Sequence, residues 1–251
     1  MMAKNKFLSL PGMVFTMLIA LWNTHAWSIG IAQYSAFINS PDLYPDSLED
    51  TQIGSGYNDF QDFGLNVAFT NNLNAEGLGA VKWKVTNNSG RNLASVWFFG
   101  FLDAEIDEPI NSYFNESGVL VSVSGAGSGD AAADSWEIDE PGFTFGDIYN
   151  NLLAGSLDNG NGVPAGSEDD VSLALGFDVG SLLAGESILA MFDTSLTNIG
   201  GLSHADPDSN LTFYFNGVVE VQPLSVPEPG TLMLVIIGMA GLTMRITFFS
   251  Q

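Results

Sequence analysis

The sequence predicts a mainly β protein, an antiparallel β-sandwich of jelly-roll or immunoglobulin-like kind. Three observations carry this reading. Several stretches alternate apolar and polar residues with a period of two, the pattern of a strand with one buried face. Gly- and Asn-rich segments separate those stretches at turn-like spacing. A single stretch of the body has helical spacing. About eight to ten short strands with so little helix bury their apolar faces by stacking two sheets. A closed barrel is the second solution, and an α/β enzyme fold is disfavoured.

In chain order, residues 29–38 are apolar and suit a first strand. Residues 40–61 are polar, with two prolines and several acids, and read as a long loop. Phe63, Leu65, Val67 and Phe69 then share one face of a strand, and Asn71 to Asn74 turn the chain. Val81, Trp83 and Val85 point inward from the next strand, with Lys82 and Lys84 outward. Asn87-Asn88-Ser89-Gly90 is a turn, because Asn and Gly accept positive φ, and it predicts a hairpin. Residues 93–102 are almost continuously apolar, which suits a strand covered on both faces. Residues 119–124 alternate again, and 125–133 are a loop of small residues.

Phe145, Ile148, Tyr149 and Leu152 have helical spacing, and Gly155 is placed to end that helix. Strands are expected at 171–179, 187–193 and 211–221. The stretch 180–186, Gly-Ser-Leu-Leu-Ala-Gly-Glu, resembles a connection in many bacterial extracellular β-sandwich domains. That resemblance implies a link across the sandwich edge.

The two ends differ from the body. Lys4 and Lys6 precede an apolar run, 13–22, and then small residues, the order of a secretory signal peptide. Residues 1–28 are assigned to it, with Ala26 as the other cleavage candidate. Residues 29–225 form the body. Residues 226–251 carry Pro227-Glu228-Pro229, an almost uncharged run from Thr231 to Met244, and Arg245. Extended through Phe249, the run reaches about 28 Å as a helix, close to the thickness of a bilayer core. A buried core helix is the competing reading.

This C-terminal segment resembles the PEP-CTERM sorting signal of Gram-negative bacteria. Pro227, Glu228 and Pro229 match the triplet, and the apolar run with Gly238 and Gly241 matches its helix. Arg245 stands alone where the family carries a basic cluster. The resemblance implies an inner-membrane transmembrane helix, recognition by an exosortase, cleavage near the triplet, and export to the cell surface or extracellular matrix.

Of the 29 acidic residues, 28 lie in 29–226 against Lys82, Lys84 and Arg91, so the body carries −25. Such a charge disfavours nucleic acid and anionic lipid as partners. Cysteine is absent, which excludes disulfides and thiol nucleophiles. Asp103, Glu105 and Asp107 share a face if their strand continues that far. Ile106-Asp107-Glu108-Pro109 recurs as Ile138-Asp139-Glu140-Pro141, and a third group holds Asp158, Asp169 and Asp170. Two readings stand for these acids. They are solvated loop carboxylates, or Asp103, Glu105, Asp107, Asp139, Glu140, Asp158, Asp169 and Asp170 supply a site for calcium, which takes hard oxygen ligands.

No catalytic set is visible. Ser203, His204 and Asp206 are too close in sequence to read as a triad, and His204 reads as a loop histidine. Trp83, Trp97, Phe98, Phe99, Trp136 and Tyr214 read as core. The expectation is a non-enzymatic exported surface or matrix protein. The alternative is a calcium-assisted carbohydrate-binding module with exopolysaccharide as partner. A hydrolase using the acid clusters ranks last.

Overall fold

A computed structural model of the chain describes residues 29–43, 46–106, 112–122 and 133–224. The assigned signal peptide, Asp107, the sorting residues Pro227, Glu228, Pro229 and Arg245, and the apolar C-terminal run lie outside them. Among the described residues, no helix is long and apolar enough to cross a membrane.

The body is mainly β, as expected. Among the described residues, eleven strands form two sheets, and every strand pairing is antiparallel. They are β1 (Ile29–Asn39), β2 (Leu48–Ile53), β3 (Leu65–Leu73), β4 (Gly79–Asn87), β5 (Leu93–Ile106) and β6 (Ser117–Ser122). Then follow β7 (Ser135–Asp139), α1 (Ile148–Ala154), β8 (Ser172–Leu182), β9 (Ser187–Ser195), β10 (Gly201–Asp206) and β11 (Leu211–Gln222). One sheet runs β2-β1-β5-β8-β7, and the other β3-β4-β9-β11-β10-β6.

Their inner faces share one core. Tyr34, Phe98, Leu173 and Leu175 from the first sheet are buried with Trp83, Phe192, Phe213 and Phe215 from the second. Phe192 is the centre of it. Its ring stacks with Phe98 at 6.3 Å and Phe215 at 5.6 Å, and meets Trp83 and Phe177 edge-on. Gly100 and Gly217 stand where any Cβ would strike that ring. Fully burying an aromatic or aliphatic side chain stabilises by about 1.5–3 kcal/mol relative to exposing it, so this face fixes how the two sheets meet.

The outer face of the first sheet is covered too. Ile148 and Leu152 of α1 sit on Phe37, Phe99, Phe101 and Ala174 in a second buried cluster. This explains why β5 is apolar on both faces. Gly155, at φ 71°, ends α1, and its N–H returns to Asn151 and Leu152 carbonyls. The helix begins at Ile148, not Phe145. A tight turn closed by the Gly142 N–H on the Phe145 carbonyl precedes it, and Phe145 is exposed.

Three local expectations need correcting. The 87–90 turn does not close a hairpin: β4 pairs with β3 and β9, while β5 belongs to the other sheet. The hairpin is β3–β4, turned at Asn74–Gly77, where the Gly77 N–H bonds the Asn74 carbonyl. The chain crosses between sheets at 87–92 and again at 183–186, the latter as expected. Residues 40–61 are not one loop, because they contain β2, whose Leu48 faces Ile38 of β1. Its sequence, Leu-Glu-Asp-Thr-Gln-Ile, hides a buried strand behind polar side chains that bond one another. Glu49 accepts from Ser35, Gln33, Thr51 and the Tyr149 hydroxyl, the last at 2.6 Å. Asp50 accepts from Trp83 Nε1 at 2.9 Å. Finally, β10 replaces the loop expected around His204.

Candidate functional site: an acidic end of the two sheets

Strand β5 ends in Leu102-Asp103-Ala104-Glu105-Ile106. Leu102, Ala104 and Ile106 enter the shared core, so alternation sends Asp103 and Glu105 to the opposite face. Ser172 of β8 lies opposite Asp103 in register, and its hydroxyl donates to Asp103 Oδ1 at 3.1 Å. Asp170 precedes Ser172 by two residues. Carboxylate oxygens of Asp103, Glu105 and Asp170 lie within 4.8 Å of one another.

Behind this triad sits a buried pair. Glu116 is held by an antiparallel bridge to Asp169. Its Oε1 accepts from the Ile106 N–H at 2.9 Å, and its Oε2 lies 2.5 Å from His204 Nε2. His204 faces Gly118 and Phe213 across β10's two neighbours, and its ring rests 4.9 Å from that of Phe213. Both members are buried: 0% exposed for His204 and 1% for Glu116. His204 Nδ1 has no hydrogen-bond partner among the described residues. With Glu116 protonated and donating to Nε2, the neutral ring carries its own proton on this Nδ1. Asp206 closes the next turn, accepting from the Asp208 N–H at 2.8 Å and from Asn115 Nδ2 at 3.1 Å.

Burial dominates the electrostatics. It pushes Asp103 up to about 6, against the Ser172 hydrogen bond and the nearby His204, which lower it. It pushes Glu116 up to about 8, helped by Asp206 and Asp103 and opposed by the Ile106 N–H. Asp170 rises to about 7 through burial first, then the charges of Asp103, Glu116, Asp169 and Glu140. Burial lowers His204 to about 3, although Asp103 and Asp206 favour its charged form. Glu116 and His204 thus form a neutral pair that holds a single proton. The triad has two ways to limit its repulsion: retain protons, or take a cation among its oxygens. An all-oxygen set of this kind suits a hard cation such as calcium.

A second acid group surrounds α1. Oxygens of Glu137, Asp147 and Asp158 lie within 4.8 Å of one another. Both Glu137 oxygens are engaged, one by Asn151 Nδ2 at 2.9 Å and the other by the Asp158 N–H at 3.0 Å. Burial raises Glu137 to about 7. Asp139 Oδ2 accepts from the Asp147 N–H at 2.7 Å. These bonds clasp α1 and the following loop onto β7.

The eight acids proposed from sequence therefore separate. Asp103, Glu105 and Asp170 come together. Asp158 joins the clasp, and Asp139 seats the chain before α1. Asp169 supports Glu116, Glu140 lines a neighbouring cleft, and Asp107 lies outside the described residues. The repeated tetrapeptides share one visible role, since Ile106 and Ile138 are both buried core residues. Sequence reading missed Glu116, His204, Glu137 and Asp147. Glu116 and His204 are 88 residues apart, and no local spacing announces such a pair.

Beside Asp170 opens a cleft of about 260 Å³, walled by Tyr113, Phe114, Phe143 and Phe145 with Glu140, Pro141 and Thr144. None of these aromatics was among the six considered from sequence. Of those six, Trp83, Phe98 and Phe99 are fully buried, in line with a core role.

No family model, curated protein or solved structure matches the chain.

Proposed function

We propose that this chain is an exported, non-enzymatic surface or matrix protein. Its body is a β-sandwich of jelly-roll or immunoglobulin-like kind, carried between a cleaved signal peptide and a C-terminal sorting segment. The observation that carries the reading is the Pro227-Glu228-Pro229 triplet, followed by an uncharged run and Arg245. An exosortase would recognise that segment while its helix sits in the inner membrane. A two-sheet body with a shared core and a net charge of −25 is a suitable cargo, because it stays soluble without disulfides. The test compares the intact chain with one ending at Ser225, expressed in a host with a functional exosortase. Membrane retention followed by processing is expected for the intact chain alone. Equal release of both chains sinks the sorting role.

A second reading is favoured by one specific feature, the Asp103–Glu105–Asp170 triad beside an aromatic-walled cleft. In that reading calcium is held by the triad and assists carbohydrate binding at the cell surface. Retardation of the purified chain in an exopolysaccharide gel, abolished by a chelator, is the expected result. Mobility unaffected by polysaccharide at any calcium level removes this reading.

A further inference from the structure

The cleft beside Asp170 combines two properties rarely left together on a surface. Its walls include four aromatic side chains that remain open to solvent: Tyr113 38%, Phe114 56%, Phe143 58% and Phe145 66% exposed. Two carboxylates, Glu140 and Asp170, line the same space. The body's bases, Lys82, Lys84 and Arg91, lie on β4 and the turn after it, and none lines the cleft. Loop geometry presents the rings rather than burying them. Gly142, at φ 85°, starts the turn that projects Phe143, Thr144 and Phe145. Phe143 leans on Tyr149 at 5.6 Å, and Tyr149 is anchored through its hydroxyl to Glu49. Tyr113 and Phe114 stand together, with ring centroids 4.1 Å apart.

Ring faces carry partial negative charge and attract a cation within about 6 Å of their centroids. Phenylalanine offers no hydrogen-bond acceptor beyond that face. A cation with N–H groups finds acceptors at the carboxylates and hydroxyls but none along the phenylalanine rings, whereas a fully methylated ammonium needs none there. We infer that this cleft binds a small quaternary ammonium ligand, its methyl groups against Phe143, Phe145 and Phe114 and its charge facing Glu140 and Asp170. A ligand that also carries phosphate or carboxylate is disfavoured, because the carboxylates and the net charge of −25 repel it. The ligand class is therefore a choline-like alcohol rather than a phospholipid headgroup.

The test is calorimetry and saturation-transfer NMR on the full chain in detergent with chelator present. That condition separates it from the calcium reading, which survives failure here. Choline and tetramethylammonium are expected to bind about two- to fivefold more tightly than the uncharged isostere 3,3-dimethyl-1-butanol, the factor a solvent-exposed cation–π contact supplies. Phosphocholine should bind more weakly than choline. Phe145→Ala and Glu140→Gln, both at accessible positions, should each weaken choline binding while leaving the thermal midpoint unmoved. Equal affinity for choline and its neutral isostere overturns the inference, as does unchanged choline binding in Phe145→Ala.

Discussion

Replacing Glu116 by glutamine asks whether the buried pair keeps its proton. Glutamine keeps the size and the Oε1 acceptor for the Ile106 N–H, and its amide can donate to His204 Nε2. It removes only the titration. In the native chain the pair holds one proton from about pH 3 to about pH 8. Unfolded, the same residues hold one proton between about pH 4.5 and 6.5, so the pair adds no slope there. Above pH 6.5 the unfolded chain releases that proton and the folded chain does not. Stability then falls by about 1.4 kcal/mol per pH unit, roughly 2 kcal/mol by pH 8. The variant behaves differently. It retains only a buried, neutral His204 with a lowered pKa, so its stability rises with pH up to about 6.5 and is flat beyond. Relative to the native chain, Glu116→Gln should gain roughly 3–4 kcal/mol between pH 5 and pH 8. The other raised acids titrate in both chains and largely cancel. Urea unfolding at pH 5, 6.5 and 8 measures the difference directly. A stability gap that stays constant across those three values would refute the reasoning, since Glu116 would then be ionised beside a neutral His204.

Two further outcomes are expected. Millimolar calcium should raise the thermal midpoint more at pH 8 than at pH 5.5, because Asp103 at about 6 and Asp170 at about 7 must ionise before they ligate. At a hundred times the dissociation constant the gain is about 2.7 kcal/mol. Asp170→Asn should abolish it, and a rise that survives this substitution removes the triad from consideration. Gly100→Ala should destabilise by about 1–3 kcal/mol, because the new methyl meets the Phe192 ring. Gly90→Ala, which points into open space at φ 77°, should cost about 1 kcal/mol from backbone strain alone. Denaturant midpoints ordering these two the other way would mean the core yields around Phe192.

Local pattern was a good guide wherever a strand has one wet face. The alternation of Val81, Trp83 and Val85 placed β4, and the apolar run after Asn92 correctly implied cover on both sides of β5. It failed at β2, β7 and β10, and for one physical reason. Glu49, Asp50, Thr51, Glu137, His204 and Asp206 are buried through hydrogen bonds to distant partners, so those strands carry no hydrophobic alternation to detect. The 87–90 turn failed differently. Turn chemistry says that the chain reverses but not which sheet the next strand joins.

The sequence by itself determined the β class, the acidic and cysteine-free body, the helix stop at Gly155 and the Asp103–Glu105 face, because each follows from composition or from spacing within one element. Only the tertiary structure decided the rest. It brought Asp170 to that face through the β5–β8 register, and Glu116 to His204 through the edge of the second sheet. It also separated Asp158 and Asp139 from the triad. A carboxylate's neighbours are chosen by strand order and register, and those are set by which apolar faces meet across the whole core.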